Sequence, residues 1–257
     1  MSTSDQLRTS VGSDGVAIVE IQRPPENYLD TALVGAIADA YAQLEHDARC
    51  RAIVLCSAGK HFSAGARLAA RPGPAAPGSG RHLYDEVIRL FEGHKPVVAA
   101  VQGAAVGAGL GLAMSADFRV AAPESRFCAN FAQLGFHHGF GLSVTLRDVA
   151  GIQVAKDLLL TGRRVRGDEA HALGLCDRLV PEIDIREAAL ALAAQIATSA
   201  PLAVRTIHAT LQGDYLTRLT DALTRERVIQ ESQHNTADRA EGIAAYRERR
   251  TPIFHGH

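Results

Sequence analysis

The sequence predicts an α/β protein: recurring strand–turn–helix units, then an all-helical C-terminal portion. Three observations predict it. Short apolar runs such as "VAIVEI", "RAIVLC" and "KPVVAAV" alternate with segments whose apolar residues recur at helical spacing. Among them lies "VVAAVQGAAVGAGLGLAMSAD", residues 97–117, uncharged until its last residue and built almost wholly from small side chains. From about Arg186 onward the strand signals stop. At 257 residues the chain suffices for one large domain, or one domain with a small appendage. The expected division is a core over residues 1–195 and a helical region over residues 196–257.

The elements follow in order. "VAIVEI" is a strand bounded by "SDG" and "RPP". The next segment carries Leu33, Ile37, Tyr41 and Leu44 on one helical face, with Asp30 or Thr31 as its N-cap, a short oxygen side chain accepting from a free N–H. "RAIVLC" is a buried strand that turns out through "SAGKHFSAGARL". The Pro/Gly-rich residues 70–80 read as a mobile surface loop. "RHLYDEVIRLFEG" is a helix with Leu83, Val87, Leu90 and Phe91 on one side, and "KPVVAAV" is a strand. "LGLAMSAD" opens a helix that "FRVAA" follows as a strand; "GIQVAKDLLLTG" and "EAHALGLCDRLV" are helical, the latter leading into a strand. Four helical segments complete the chain.

Composition excludes several classes. A formal net charge of -1 gives no field favouring nucleic acid or an anionic membrane. The basic runs "GRRVRG" and "YRERR" read as solvated helix or loop faces. Cys50, Cys56, Cys128 and Cys176 are scattered without a CxxC pair; they read as thiols in a reducing compartment, and a cytoplasmic location is expected. The opening residues have no apolar core, so no signal peptide is expected. Residues 97–117 meet the ~20-residue length of a membrane span, but they are Gly/Ala-rich, hold Gln102 and follow Pro96 directly. No zinc-type His pair with a nearby acid and no GxSxG elbow occurs; no metal is expected. His255 and His257, at the chain end, read as disordered.

A glycine turn between strand and helix frees N–H groups to hold an anion or a developing oxyanion, and small residues let a ligand approach the backbone. "GAGLGL", residues 107–112, nearly matches the dinucleotide fingerprint, but Leu112 stands where its third glycine belongs and no acid follows about 20 residues on. A tightly packed strand–helix crossing without a ligand is the plain alternative. The second small-residue turn, "KHFSAGARL", also leaves a buried strand, and two such turns can each contribute one N–H to a single oxygen.

"RPPENYLD", "GKHFSAGARL", "HKPVVAAVQGAAVGAGLGLAMSADFRVAA", "LLLTGRRVRGDEAHALGLCDRLV" and "EGIAAYRERRTPIF" together resemble the enoyl-CoA hydratase/isomerase (crotonase) superfamily, in its order and spacing and over essentially the whole chain. The resemblance implies a spiral of ββα units, a helical C-terminal trimerisation region, trimers or dimers of trimers, and an acyl-CoA thioester as ligand, with no separate cofactor. It places the two oxyanion-hole donors on the backbone N–H of Ala66 and of Ala108, where alanine replaces the usual glycine; Gly109 is the adjacent alternative. It also assigns CoA contacts to residues 24–27, with Pro25 and Glu26, and to Ala64, Gly65, Arg67 and Leu68. Arg67 replaces the usual aspartate, as a contact to a CoA phosphate or as a surface substitution.

The chain departs from the family at its acids. The two hydratase glutamates fall on Gly111 and Phe131, and the aspartate of some isomerases falls on Gly139. Simple hydration is therefore doubtful, since losing one general acid or base typically costs about 10²–10⁴ in rate. His137 and His138, on the loop bordering the family's active site, are the candidate proton carriers, as against structural or solvent-facing histidines. Tyr84, Asp85 and Glu86 are secondary candidates, with a solvated helix face the favoured reading; Phe131 and Phe140 suit an apolar acyl wall. Three functions follow: an acyl-CoA enzyme with a non-standard acid/base, a non-catalytic acyl-CoA-binding member, and, least supported, a nicotinamide dehydrogenase.

Overall fold

The computed structural model describes residues 6–67 and 81–257. Leu68, expected at the ligand, and the loop expected to be mobile over residues 70–80 lie outside the described residues, Gly80 included. The strands are β1 (Leu7–Val11), β2 (Val16–Ile21), β3 (Ala52–Ser57), β4 (Val97–Val101), β5 (Ala104–Val106), β6 (Phe118–Ala121), β7 (Arg126–Cys128), β8 (Arg164–Arg166) and β9 (Arg178–Leu179). The helices are α1 (Thr31–His46), α2 (Leu83–Arg89), α3 (Ala108–Met114), α4 (Leu142–Thr161), α5 (Gly167–Ala172), α6 (Ile185–Ala197), α7 (Pro201–Gln212), α8 (Tyr215–Ser232) and α9 (Ala237–Glu248).

A six-stranded sheet runs β1-β2-β3-β4-β6-β9, with β1 antiparallel to β2 and the remaining pairs parallel. A three-stranded sheet runs β5-β7-β8. Every residue of β3 and β4 is buried, the signature of parallel strands covered on both faces. The alternation of side chains sorts those residues. Val19, Ile53, Leu55 and Ala99 join Leu33, Ile37 and Leu44 of α1, whereas Val54, Cys56, Val98 and Val120 join Ala189, Leu192 and Ala193 of α6. Asp30 is the N-cap of α1, its carboxylate accepting from Leu33 N at 2.9 Å.

Several elements differ from the sequence reading. The division expected at residue 195 falls in the last turn of α6, which lies against the large sheet; the chain turns by 105° between it and α7. "GRRVRG" contains strand β8, because buried Val165 pairs with Phe127 while Arg164 and Arg166 face outward. Residues 97–117 form two strands and a seven-residue helix, and among the described residues no single helix is long and apolar enough to cross a membrane. The chain end is ordered: Asp238, in the first turn of α9, accepts from His255 N at 2.7 Å and Gly256 N at 2.9 Å.

Candidate active site

Three loops meet beside the C-terminal ends of β2, β3 and β4. After β3 the chain runs alongside β5: Ser63 N donates to Ala104 O at 2.9 Å, and Val106 N returns a bond to Ser63 O at 3.0 Å. Residues 24–29 clamp this segment from the other side, with Ala64 N bonded to Glu26 O at 2.8 Å and Leu29 N to Gly65 O at 2.9 Å. Buried Asn27 fixes the corner, its amide donating to Ala58 O at 2.8 Å and His61 O at 2.7 Å. Buried Ser63 completes it through Asn27 O at 2.9 Å.

Here the backbone leaves no room for side chains. Gly65 has φ +86°, and a Cβ on it would lie 2.5 Å from Val106 O and 3.5 Å from Ala108 N. A Cβ on Gly109 would lie 2.3 Å from Ser63 O. The helix starts at Ala108, two residues before the expected Leu110, because Gly107 turns the chain at φ 55°. That start frees the Ala108 N–H from intrahelical bonding. Among the described residues neither the Ala66 nor the Ala108 N–H has an acceptor. Of the other expected contacts, Pro25 is exposed, and the exposed Arg67 guanidinium sits 5.4 Å from the centre of the Tyr28 ring.

The three acid positions are not empty space. A Cβ on Gly111 would meet the Phe140 side chain at 2.5 Å, with Phe140 itself at φ 64°. Phe131 packs edge-on to Phe136, ring centres 5.7 Å apart. A Cβ on Gly139 would lie 2.2 Å from the Tyr84 hydroxyl oxygen.

Tyr84 corrects a sequence expectation. Its side chain is buried rather than on a solvated helix face, because α2 packs between α1 and α8. Glu86 is buried as well and pairs with Arg89, whereas Asp85 is exposed and closes the capping box with His82. The Tyr84 hydroxyl donates to Gln230 Oε1 at 2.7 Å, and Gln230 Nε2 donates to His137 O at 2.7 Å. Burial raises the Tyr84 phenol above its ordinary range.

His137 and His138 stack with ring centres 4.1 Å apart. His137 Nδ1 lies 2.7 Å from the His138 carbonyl oxygen, and His137 N donates to Gln233 Oε1 at 2.6 Å. His138 Nε2 is enclosed without a hydrogen-bond partner, 3.5 Å from Glu226 Oε1. Burial, reinforced by His137, pushes the His138 imidazole down to about 3, so it is neutral at pH 7. Glu226, on α8, is 1% exposed. Its carboxylate accepts from Gly141 N at 2.8 Å and the Ser143 hydroxyl at 2.6 Å, across the start of α4. Burial raises the Glu226 carboxyl, and the bonds from Ser143 and Gly141 oppose that rise.

The sequence reading missed Glu226 and Gln230. A signal existed: they continue the buried stripe of Leu219 and Leu223 at spacings of four, three and four, so two polar residues occupy core-facing positions of an amphipathic helix. The four cysteines are free and buried; burial pushes Cys56, Cys128 and Cys176 up to about 11 and raises Cys50, which keeps them as inert thiols. Among the described residues no cluster of three or more His, Cys, Asp or Glu is disposed to hold a metal.

Known proteins share this architecture and sequence. A crystal structure of an enoyl-CoA hydratase/isomerase from Pseudoalteromonas atlantica T6c superposes with a TM-score of 0.89 at 30% identity, covering 97% of this chain and all of that one. The carnitinyl-CoA dehydratase of Salmonella arizonae is 32% identical, spanning 93% of this chain and 94% of that protein. The 1,2-epoxyphenylacetyl-CoA isomerase of Escherichia coli is 30% identical, spanning 94% and 95%. The sequence model described as enoyl-CoA hydratase/isomerase matches residues 12–257. With a match across nearly its full length, the chain belongs to the enoyl-CoA hydratase/isomerase family.

Proposed function

We propose that this protein binds an acyl-CoA thioester and stabilises the enolate formed at its Cα, the N–H groups of Ala66 and Ala108 both donating to the thioester oxygen. One observation carries the reading: two separate bends abut so closely that the missing Cβ of Gly65 would sit 3.5 Å from Ala108 N, with the N–H groups of Ala66 and Ala108 unspent among the described residues. Gly109 is the adjacent alternative donor, at a position where an added Cβ would lie 2.3 Å from Ser63 O. Two backbone donors aimed at one oxygen stabilise the charge that develops there, and removing one such donor typically costs about 3 kcal/mol in the barrier. The names of the relatives support the substrate class, since a carnitinyl-CoA and an epoxyphenylacetyl-CoA are both thioesters.

The proton carrier in this reading is His138. His137 has its Nδ1 tied to a carbonyl, whereas the neutral His138 ring has no hydrogen-bond partner for Nε2 and a buried carboxylate facing that atom. The Cα–H bond breaks, its electron pair moves onto the thioester oxygen, and the proton goes to the imidazole, which returns it to the product. That sequence suits isomerisation or elimination. It does not suit hydration by paired carboxylates, because Gly111 and Phe131 carry none. Phe131 and Phe140 supply an apolar wall for the acyl group.

The same reading includes the family's ββα spiral, trimers or dimers of trimers built through the C-terminal helices, a cytoplasmic setting and no separate cofactor. Exposed Ile207 and Leu211, four residues apart on one side of α7, support the assembly, as exposed apolar side chains on a helix face seek a partner. The experiment follows deuterium uptake at Cα and turnover across a panel of acyl- and enoyl-CoA thioesters in D₂O. His138→Gln is expected to lower both by about 10²–10⁴. Full rates in His137→Gln and His138→Gln alike would remove both histidines from the chemistry. A second reading, thioester binding without turnover, is favoured by the Phe140 ring packed over Gly111, and it predicts binding with no exchange in any thioester.

A further inference from the structure

We propose that Glu226 is the positioning residue for His138: its carboxylate holds the ring in the tautomer that carries the proton on Nε2 and so presents Nδ1 as the accepting nitrogen. The inference rests on the reading of His138 as proton carrier. It assigns to α8 a role that none of the vacant acid positions can fill.

The donor inventory around Glu226 supports it. Oε2 takes the Gly141 N–H, and Oε1 takes the Ser143 hydroxyl with a longer approach from Ser143 N at 3.4 Å. Every one of these partners donates, so the group is held as an acceptor at both oxygens, at the start of α4 where an anion is favoured. A neutral imidazole whose Nε2 faces such an acceptor is stabilised with its proton on Nε2. The opposite tautomer would aim a lone pair at a carboxylate inside a buried site. The 3.5 Å separation is longer than a hydrogen bond, as such contacts often are before a ligand closes the site. Nε2 is the enclosed nitrogen, which leaves Nδ1 for a ligand. When Nδ1 takes the Cα proton, the imidazolium forms directly against Glu226, and the carboxylate stabilises that charge without itself taking the proton. The other titratable groups around the pair are His137, stacked on His138, and Tyr84, on α2 and within electrostatic reach of Glu226.

The carboxylate comes from far along the chain. It reaches the loop from eighty-five residues beyond Gly141, on a helix that also holds His137 O through Gln230. One helix thereby fixes the backbone of the first histidine and the protonation pattern of the second.

The test is ring ¹⁵N–¹H correlation spectroscopy of the full-length protein with labelled histidines, paired with the pH profile of kcat for Cα exchange. In the wild type at pH 7 the His138 ring is expected as the Nε2–H tautomer. Glu226→Gln preserves size and can turn its amide NH₂ toward His138, so it is expected to swap the tautomer to Nδ1–H. In that variant kcat falls by about 10²–10⁴ with a much smaller change in KM, whereas Glu226→Asp, which keeps the charge, recovers part of the rate. A wild-type ring found as Nδ1–H, or an unchanged tautomer and kcat in Glu226→Gln, overturns the proposal. The wild-type spectrum needs no variant to fold and no turnover. It therefore stays decisive for the tautomer if no thioester is processed, an outcome that instead refutes the reading of His138 as proton carrier.

Discussion

The two halves of the candidate site are built in opposite ways. Around Ala66 and Ala108 the protein is nearly bare main chain, and the glycines are there because a Cβ would strike a carbonyl at 2.5 Å or 2.3 Å. Around residues 137–143 the glycines serve the reverse purpose: Gly111 and Gly139 make room for large side chains, the Phe140 ring and the Tyr84 hydroxyl. A missing side chain in the first half lets one stretch of backbone lie directly against another. A missing side chain in the second half is filled from elsewhere in the chain. The same residue type thus marks a close backbone approach in one place and a packing socket in the other, and only the neighbouring atoms tell them apart.

The sharpest way to break this comparison is to add one methyl group on each side. Gly65→Ala places a methyl 2.5 Å from Val106 O at a backbone angle, φ +86°, that only glycine adopts freely. We expect Cα exchange to fall by about 10²–10³, the loss typical of one oxyanion donor, and thermal unfolding to show destabilisation of about 1–3 kcal/mol. Gly111→Glu restores a family carboxylate in name, yet it drives a side chain into Phe140. It is expected to destabilise by about 1–3 kcal/mol through overpacking and to gain no hydratase activity. The double variant Gly111→Glu/Phe140→Ala is expected to recover part of the stability lost in Gly111→Glu, and a double variant that recovers none relative to the sum of its single variants would contradict the socket account.

The pH dependence of stability tests the side-chain half alone. His138 titrates at about 3 when folded and at 6.5 when unfolded, so between those values the unfolded chain binds the extra proton. Its contribution is therefore constant above pH 6.5 and stability falls as the pH drops through that window, by an amount on the order of a few kcal/mol. Glu226, shifted upward, acts in the opposite direction. Subtracting the His138→Gln denaturation profile from the wild-type profile isolates the histidine, and a flat difference would show that His138 is not buried neutral. The smallest expected effect is that of Tyr84→Phe. It strands Gln230 Oε1 without its donor, for about 1–2 kcal/mol in denaturant unfolding.

How much of this was legible in the sequence follows the same division. Asp30 is readable as a cap because capping is local, and the unbroken apolar run in "RAIVLC" predicts a buried strand. The two main-chain bends were readable because bare backbone writes itself as a run of small residues. Glu226 and Gln230 are not legible as site residues, and Tyr84, though a candidate, reads as part of a solvated face, since what gives all three their meaning is the docking of α8 and α2 against the 137–141 loop and each other, contacts that span up to 146 residues. The start of α3 was misjudged by two residues because Gly107 holds a positive φ that composition alone does not announce. His255 and His257 read as disordered because they lie at the chain end, whereas the His255 and Gly256 N–H groups are held by the Asp238 carboxylate.

The most direct measurement is a crystal structure of the protein with a bound acyl-CoA thioester. The account predicts the thioester oxygen within about 3.2 Å of both Ala66 N and Ala108 N. An oxygen bonded to only one of those nitrogens, or turned away from the pair, would contradict it.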